Sequence, residues 1–195
     1  ALSLQFRLEH TYDDYDGRDL GVESGKRQLV GVDANYVIND EWKLTGWVTL
    51  TRAEIEQSAT DRDSDEWDAD LDQVGKAFGL GLRGTPRDDL NVGLDLQYVR
   101  DDSEHDVSDR DGLDALKPLP DIEYEFWSAR AFGEYTLDAS SAVRLDLVYE
   151  KRKDDDWVWL DENGDTWHYY DGTEVYPEHD EDVVFVGISY RYTWR

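Results

Sequence analysis

Cysteine and methionine are both missing from the 195 residues. Without thiols the chain has no disulfide, no thiolate metal ligand and no Cys-x-x-Cys-His attachment for covalent haem. Methionine is missing even at position 1, so the chain reads as a processed product or a piece of a longer protein. No apolar run approaches the roughly 18 residues of a membrane helix, and helical spacing is sustained nowhere. Positive charge is scarce as well, with Lys+Arg at 20 against Asp+Glu at 47 and a net charge of -27. That balance excludes ordinary nucleic-acid binding, which sets patches of Lys and Arg against phosphate. Cations, basic proteins and a halophilic surface stay open as readings. The lack of a membrane helix does not exclude a membrane, because barrel strands are only about 10 residues long and half polar.

What is present points away from disorder. Aromatics reach 13%, with 8 Trp and 12 Tyr, whereas disordered chains are poor in them. Mean hydropathy is nonetheless -0.77. The two facts are reconciled by placement, since acids crowd segments such as Asp61–Asp72 and Asp154–Asp156. Elsewhere apolar and polar residues alternate with period two, which puts them on opposite faces of a strand. At the C-terminal end Val184, Val186, Ile188, Tyr190, Tyr192 and Trp194 alternate with Phe185, Gly187, Ser189, Arg191 and Thr193. The cleanest run sets Leu90, Val92, Leu94, Leu96 and Tyr98 against Asn91, Gly93, Asp95 and Gln97. Eight such segments occur, starting near residues 2, 30, 42, 73, 90, 127, 143 and 183.

The connections alternate in length. Short turns fall at Asn39-Asp40, Pro86-Arg87-Asp88 and Asp138-Ala139-Ser140, all rich in turn formers. Long acidic loops are expected at about 13–26, 60–72, 101–121 and 154–181. Short connections on one side and long ones on the other are the periplasmic and extracellular ends of an outer-membrane barrel. The expected fold is therefore all-β: an antiparallel up-and-down transmembrane β-barrel forming one domain over 1–195, with about eight strands here. Those strands either close alone or form the C-terminal eight of a larger barrel. Tyr36, Trp42, Tyr135 and Trp194 fall toward the short-turn end of their strands, Tyr12, Tyr98, Trp127 and Tyr149 toward the other, and Tyr190 and Tyr192 share the same lipid-facing set. Two aromatic belts at the lipid interfaces account for both sets. The opposite, lumen-facing parity carries Arg7, Glu9, Asp33, Lys43, Arg83, Asp95, Arg130, Glu134, Arg144, Asp146 and Arg191. Mixed signs predict internal ion pairs more than a selectivity ring of one charge.

Several residues in the C-terminal third resemble a known family. Leu119-Pro120-Asp121-Ile122 leads into a strand with Tyr124 that ends in Gly133-Glu134-Tyr135. Val143-Arg144-Leu145, Tyr149-Glu150 and Asp155-Asp156-Trp157 follow, and Val183 to Tyr192 closes the series. This order is similar to the MtrB/PioB family of outer-membrane barrels that accompany decahaem cytochromes. The resemblance implies a porin-like sheath holding a multihaem c-type cytochrome across the outer membrane of a Gram-negative bacterium. It implies electron transfer between the periplasm and the outside, with haem carried only by the partner and none bound covalently by this chain. Family barrels are longer than 195 residues, and Arg195 after Trp194 departs from the usual aromatic last residue.

Dedicated chemistry is less legible. Asp61, Asp63, Asp65 and Asp68 place hard oxygens at close spacing and are the calcium candidate, although Glu66 stands where an EF-hand needs glycine. A solvated acidic loop is the simpler reading. Asp161-Glu162-Asn163-Gly164-Asp165 reads as a hairpin turn, because Asn-Gly is its strongest short signal. His10, His105, His168 and His179 have no evident converging partners. No Ser/His/Asp order or phosphate-cradling glycine loop is present, so catalysis is not expected. Two rival readings stand beside the sheath: an independent eight-stranded barrel with a structural or adhesion role, and a soluble acidic β-sandwich binding calcium or sugar.

Overall fold

The computed structural model describes residues 1–15, 21–60, 66–109, 121–155, 167–168, 172–175 and 178–194. Eight long strands form one antiparallel sheet in chain order: β1 (Leu2–Asp14), β2 (Gly21–Val37), β3 (Trp42–Thr60), β4 (Glu66–Arg87), β5 (Leu90–Asp109), β6 (Ile122–Asp138), β7 (Ser141–Asp155) and β10 (Glu178–Tyr192). Between the last two lies a small hairpin of β8 (Trp167–His168) and β9 (Glu174–Val175). Every neighbour is the next long strand, which is the up-and-down order expected from the alternating turns.

The strands run further than the alternation does. β3 continues to Thr60, β4 begins at Glu66 and β5 reaches Asp109, so much of the sequence expected as long loop is paired backbone. The reason is physical. Ladder hydrogen bonds need only a partner strand, whereas the apolar–polar alternation persists only where one face meets an apolar medium. Above that level both faces are wet, and the pattern dissolves although the strand does not. The Asn-Gly turn at 163–164 lies outside the described residues.

The register joins the apolar sets into one surface. Leu4 lies opposite Ala34, and the same row continues through Gly46, Leu80, Leu96, Ala129 and Tyr149 to Val184. The row through Phe6, Val32, Val48, Phe78, Tyr98 and Trp127 lies beside it. No conventional core exists among the described residues. The only buried apolar side chains are Leu29, Ala69 and Ala142, and none of the large ones is fully buried. Leu8 is 79% exposed, Ile188 78% and Trp194 84%, values that a water-soluble fold of this size would not keep over a continuous face. The sheet is open, since β1 pairs only with β2 and β10 only with β7.

Candidate functional site

The sheet has two chemically different faces, and the register fixes which residues share each. On the apolar face the aromatic residues mark two levels. Starting from Tyr36, the row of opposed residues arrives at Val186 on β10, yet the aromatic end of that strand is Tyr192 and Trp194, six to eight residues lower. The row from Tyr12 likewise arrives at Glu104 on β5, six residues above Tyr98. The lower belt thus descends by about one residue per strand and the upper by about one and a half. With a rise of about 3.4 Å per residue and about 4.8 Å between strands, the strands lean by about 35–47° from the normal to the belts. That is the tilt of a membrane barrel. Leu90 to Tyr98, so inclined, covers about 19–22 Å of height, near that of the apolar band of such barrels.

Packing along the upper belt is specific. Phe78 and Tyr98 have ring centroids 5.2 Å apart, and Tyr98 and Trp127 4.3 Å. The Trp127 indole donates to Glu125 Oε1 at 2.8 Å, holding its polar edge away from the apolar band. At the lower belt Tyr192 and Trp194 meet edge to face at 4.7 Å.

All eleven residues expected on the lumen side lie on the polar face. Most are tied in ion pairs. Arg83 reaches Asp95 at 2.6 Å, Arg144 reaches Asp146 at 2.7 Å, and Arg7 reaches Glu9 at 2.6 Å. Arg130 takes Glu150 at 2.6 Å, and Arg191 of β10 spans β7 to Glu134 of β6 at 2.9 Å. Asp33 and Lys43 stand outside these pairs. Each exposed pair contributes little stability alone; together they leave a polar wall with little net charge.

Glycines and aromatics shape that wall, and the aromatics are the members least visible in the sequence. Trp47 breaks the alternation of β3 because its indole lies over Gly79, where a Cβ would fall 2.3 Å from the indole nitrogen. Phe132 lies over Gly93 in the same way. Its ring is held between two guanidiniums, Arg144 at 4.0 Å and Arg83 at 5.4 Å from the centroid. A glycine opposite an aromatic of the same parity was the available signal for both.

The remaining candidates scatter. Asp61, Asp63 and Asp65 lie outside the described residues, and Asp68 sits on β4. Among the described residues no three His, Cys, Asp or Glu side chains are grouped to hold a metal ion. His10 is on β1, His105 on β5 and His168 on β8, whereas His179 opens β10 rather than sharing the expected loop. His179, Tyr124, Arg152, Asp154 and Glu181 line an open cavity of about 380 Å³ at the loop-side rim of the polar face.

The short turns are built for rigidity. Asp138 accepts from the Ser140 amide and the Ser141 hydroxyl, both at 2.7 Å, and these bonds hold its carboxyl below the usual range, Ser141 contributing most. Asp89 is lowered likewise by its bond from Arg87, whose guanidinium also lies 5.8 Å over the Tyr135 ring. Asn39 accepts from the amides of Glu41 and Trp42.

A lipid-height apolar band bounded by aromatic belts, on tilted antiparallel strands with a polar reverse face, defines an outer-membrane β-barrel protein. A family profile described as "Putative outer membrane beta-barrel porin, MtrB/PioB" matches residues 1–194. The chain belongs to the MtrB/PioB family of outer-membrane barrel porins. Among solved structures it is similar to one titled "Copper transporter OprC", with a TM-score of 0.65 and 13% identity over 100% of this chain. The chain spans 32% of that transporter's length, so this likeness concerns the fold alone. No curated protein sequence matches.

Proposed function

We propose that this chain is a wall of an outer-membrane sheath enclosing a multihaem c-type cytochrome, a non-catalytic scaffold for electron transfer across the membrane. The observation that carries the reading is the open sheet, in which eight tilted strands do not bring β1 to β10. Eight strands closed on themselves leave an interior just filled by side chains; an open sheet of this length instead presents a polar face to something wider. Unpaired edges in lipid cost several kcal/mol per backbone group, so β1 and β10 each require a pairing partner in the membrane. The polar face supports an occupant, because most of its charges are paired with one another and its glycines keep the wall thin. Membership of the MtrB/PioB family supports a porin-type barrel, and the resemblance noted in the sequence points to a multihaem cytochrome as that occupant. Pull-down of the native assembly followed by haem staining is the test. Co-recovery of a haem-positive partner is expected, and recovery of the barrel without any multihaem cytochrome would overturn the sheath role.

A further inference from the structure

The apolar face does not pass directly from its upper aromatic belt into the acidic layer above. A row of cations comes first. Lys26 of β2, Arg52 of β3, Lys76 of β4, Arg100 of β5 and Lys151 of β7 all project from this face. Across these strands the row descends along the same incline as the aromatics. The row of Lys26 meets Glu54, two residues above Arg52; the row of Arg52 meets Val74, two above Lys76. Lys76 lies opposite Arg100, and that row arrives at Lys153, two above Lys151. Three of the cations stand one outward position above an aromatic: Lys76 above Phe78, Arg100 above Tyr98, Lys151 above Tyr149. Below them, the one other outward-facing Lys or Arg of the described strands is Arg87, at the lower aromatic belt over Tyr135.

Intramolecular neutralisation explains only part of this row. Lys26 pairs with Glu54 at 3.1 Å, Arg52 with Asp72 at 2.6 Å and Glu54 at 3.1 Å, and Arg100 with Asp102 at 2.8 Å and Glu123 at 3.3 Å. Lys76, Lys151 and Lys153 make no ion pair among the described residues. Lys76 faces Arg100 directly across β4 and β5; the guanidinium is already paired with Asp102 and Glu123, so the uncompensated charge of this facing pair is the Lys76 ammonium. At this height an aromatic belt marks the headgroup level of the leaflet on the long-loop, outer side.

We propose that the cation row centred on Lys76, Arg100 and Lys151 binds the phosphate groups of anionic lipid headgroups in the outer leaflet. The aromatic beneath each cation lies against the acyl chains while the ammonium or guanidinium meets phosphate, so the row fixes the height of the barrel in the bilayer. The assignment rests on the membrane orientation of the sheet and is independent of what the lumen encloses.

The test uses the native assembly extracted in neutral detergent. Binding of lipid A, a bis-phosphorylated glycolipid, and of its dephosphorylated form is followed by native mass spectrometry. Lipid A is expected to bind the wild type in preference to the dephosphorylated form. The K76Q/R100Q/K151Q variant should lose at least about tenfold in lipid A affinity, with dephosphorylated binding unchanged. The K76R/R100K/K151R variant should keep the preference. Equal binding of both lipids by the wild type, or wild-type affinity in the neutral variant, overturns the proposal. So does displacement of lipid A by excess inorganic phosphate, which would mark a free-anion site. If the neutral variant fails to fold, the wild-type lipid preference and its retention in the charge-conserving variant decide.

Discussion

Single residues on the polar wall carry more shape than charge. A methyl at Gly79 would fall 2.3 Å from the Trp47 indole nitrogen, so Gly79→Ala must expel the ring from its seat. We expect a loss of about 1–3 kcal/mol, typical of overpacking, with a changed near-ultraviolet dichroism from Trp47; an unaltered spectrum would show that the indole does not rest there. The turn carboxylates answer to pH. Folding depresses Asp138 and Asp89 below their ordinary value of 3.8, so their stabilisation is present above that value. It is lost as pH falls below it. The Asp89→Asn/Asp138→Asn variant should therefore melt below wild type near pH 7, the gap narrowing as the pH is taken below 3.8. Thermal melts in detergent across that range check the sign.

Elements are two-faced, and adjacent positions of one strand should respond oppositely. Leu96 lies in the middle of the apolar row and Gln97 beside Trp47 and Ser128 on the wall. Leu96→Arg should cost about 2–4 kcal/mol in lipid, whereas Gln97→Arg should be close to neutral. Reversible unfolding in liposomes measures both, and equal costs would contradict the face assignment. Much of this scale was legible beforehand. The eight strands, their order, the three short turns and both faces follow from alternation and turn residues, because a strand with lipid on one side must alternate. Strand ends were not legible: the paired extensions to Thr60 and Asp109 carry no apolar period. Trp47 looked like a defect in β3 because the glycine that receives it lies on β4.

At the scale of the whole molecule the open edges matter most. Nitroxides on Ser3→Cys and Ser189→Cys, introduced into a chain with no native cysteine, report whether β1 and β10 are neighbours. In the native assembly we expect a pulsed-EPR separation well beyond the ~5 Å spacing of adjacent strands, above about 25 Å for a barrel wider than eight strands. A short distance would mean that eight strands close alone, leaving no space for an enclosed protein.

The sequence by itself determined the two faces, the chain order of the strands and the side of the sheet that bears the long connections. Those depend on local rules: period two, turn residues and the exclusion of charge from lipid. Only the tertiary structure decided the register, and with it the tilt of the belts, the ion pairs that neutralise the wall, the seats of Trp47 and Phe132, and the cation row above the aromatics. Each of these depends on which residue lies opposite which across separate strands, a relation set by the assembled hydrogen-bond ladder and invisible within any one segment.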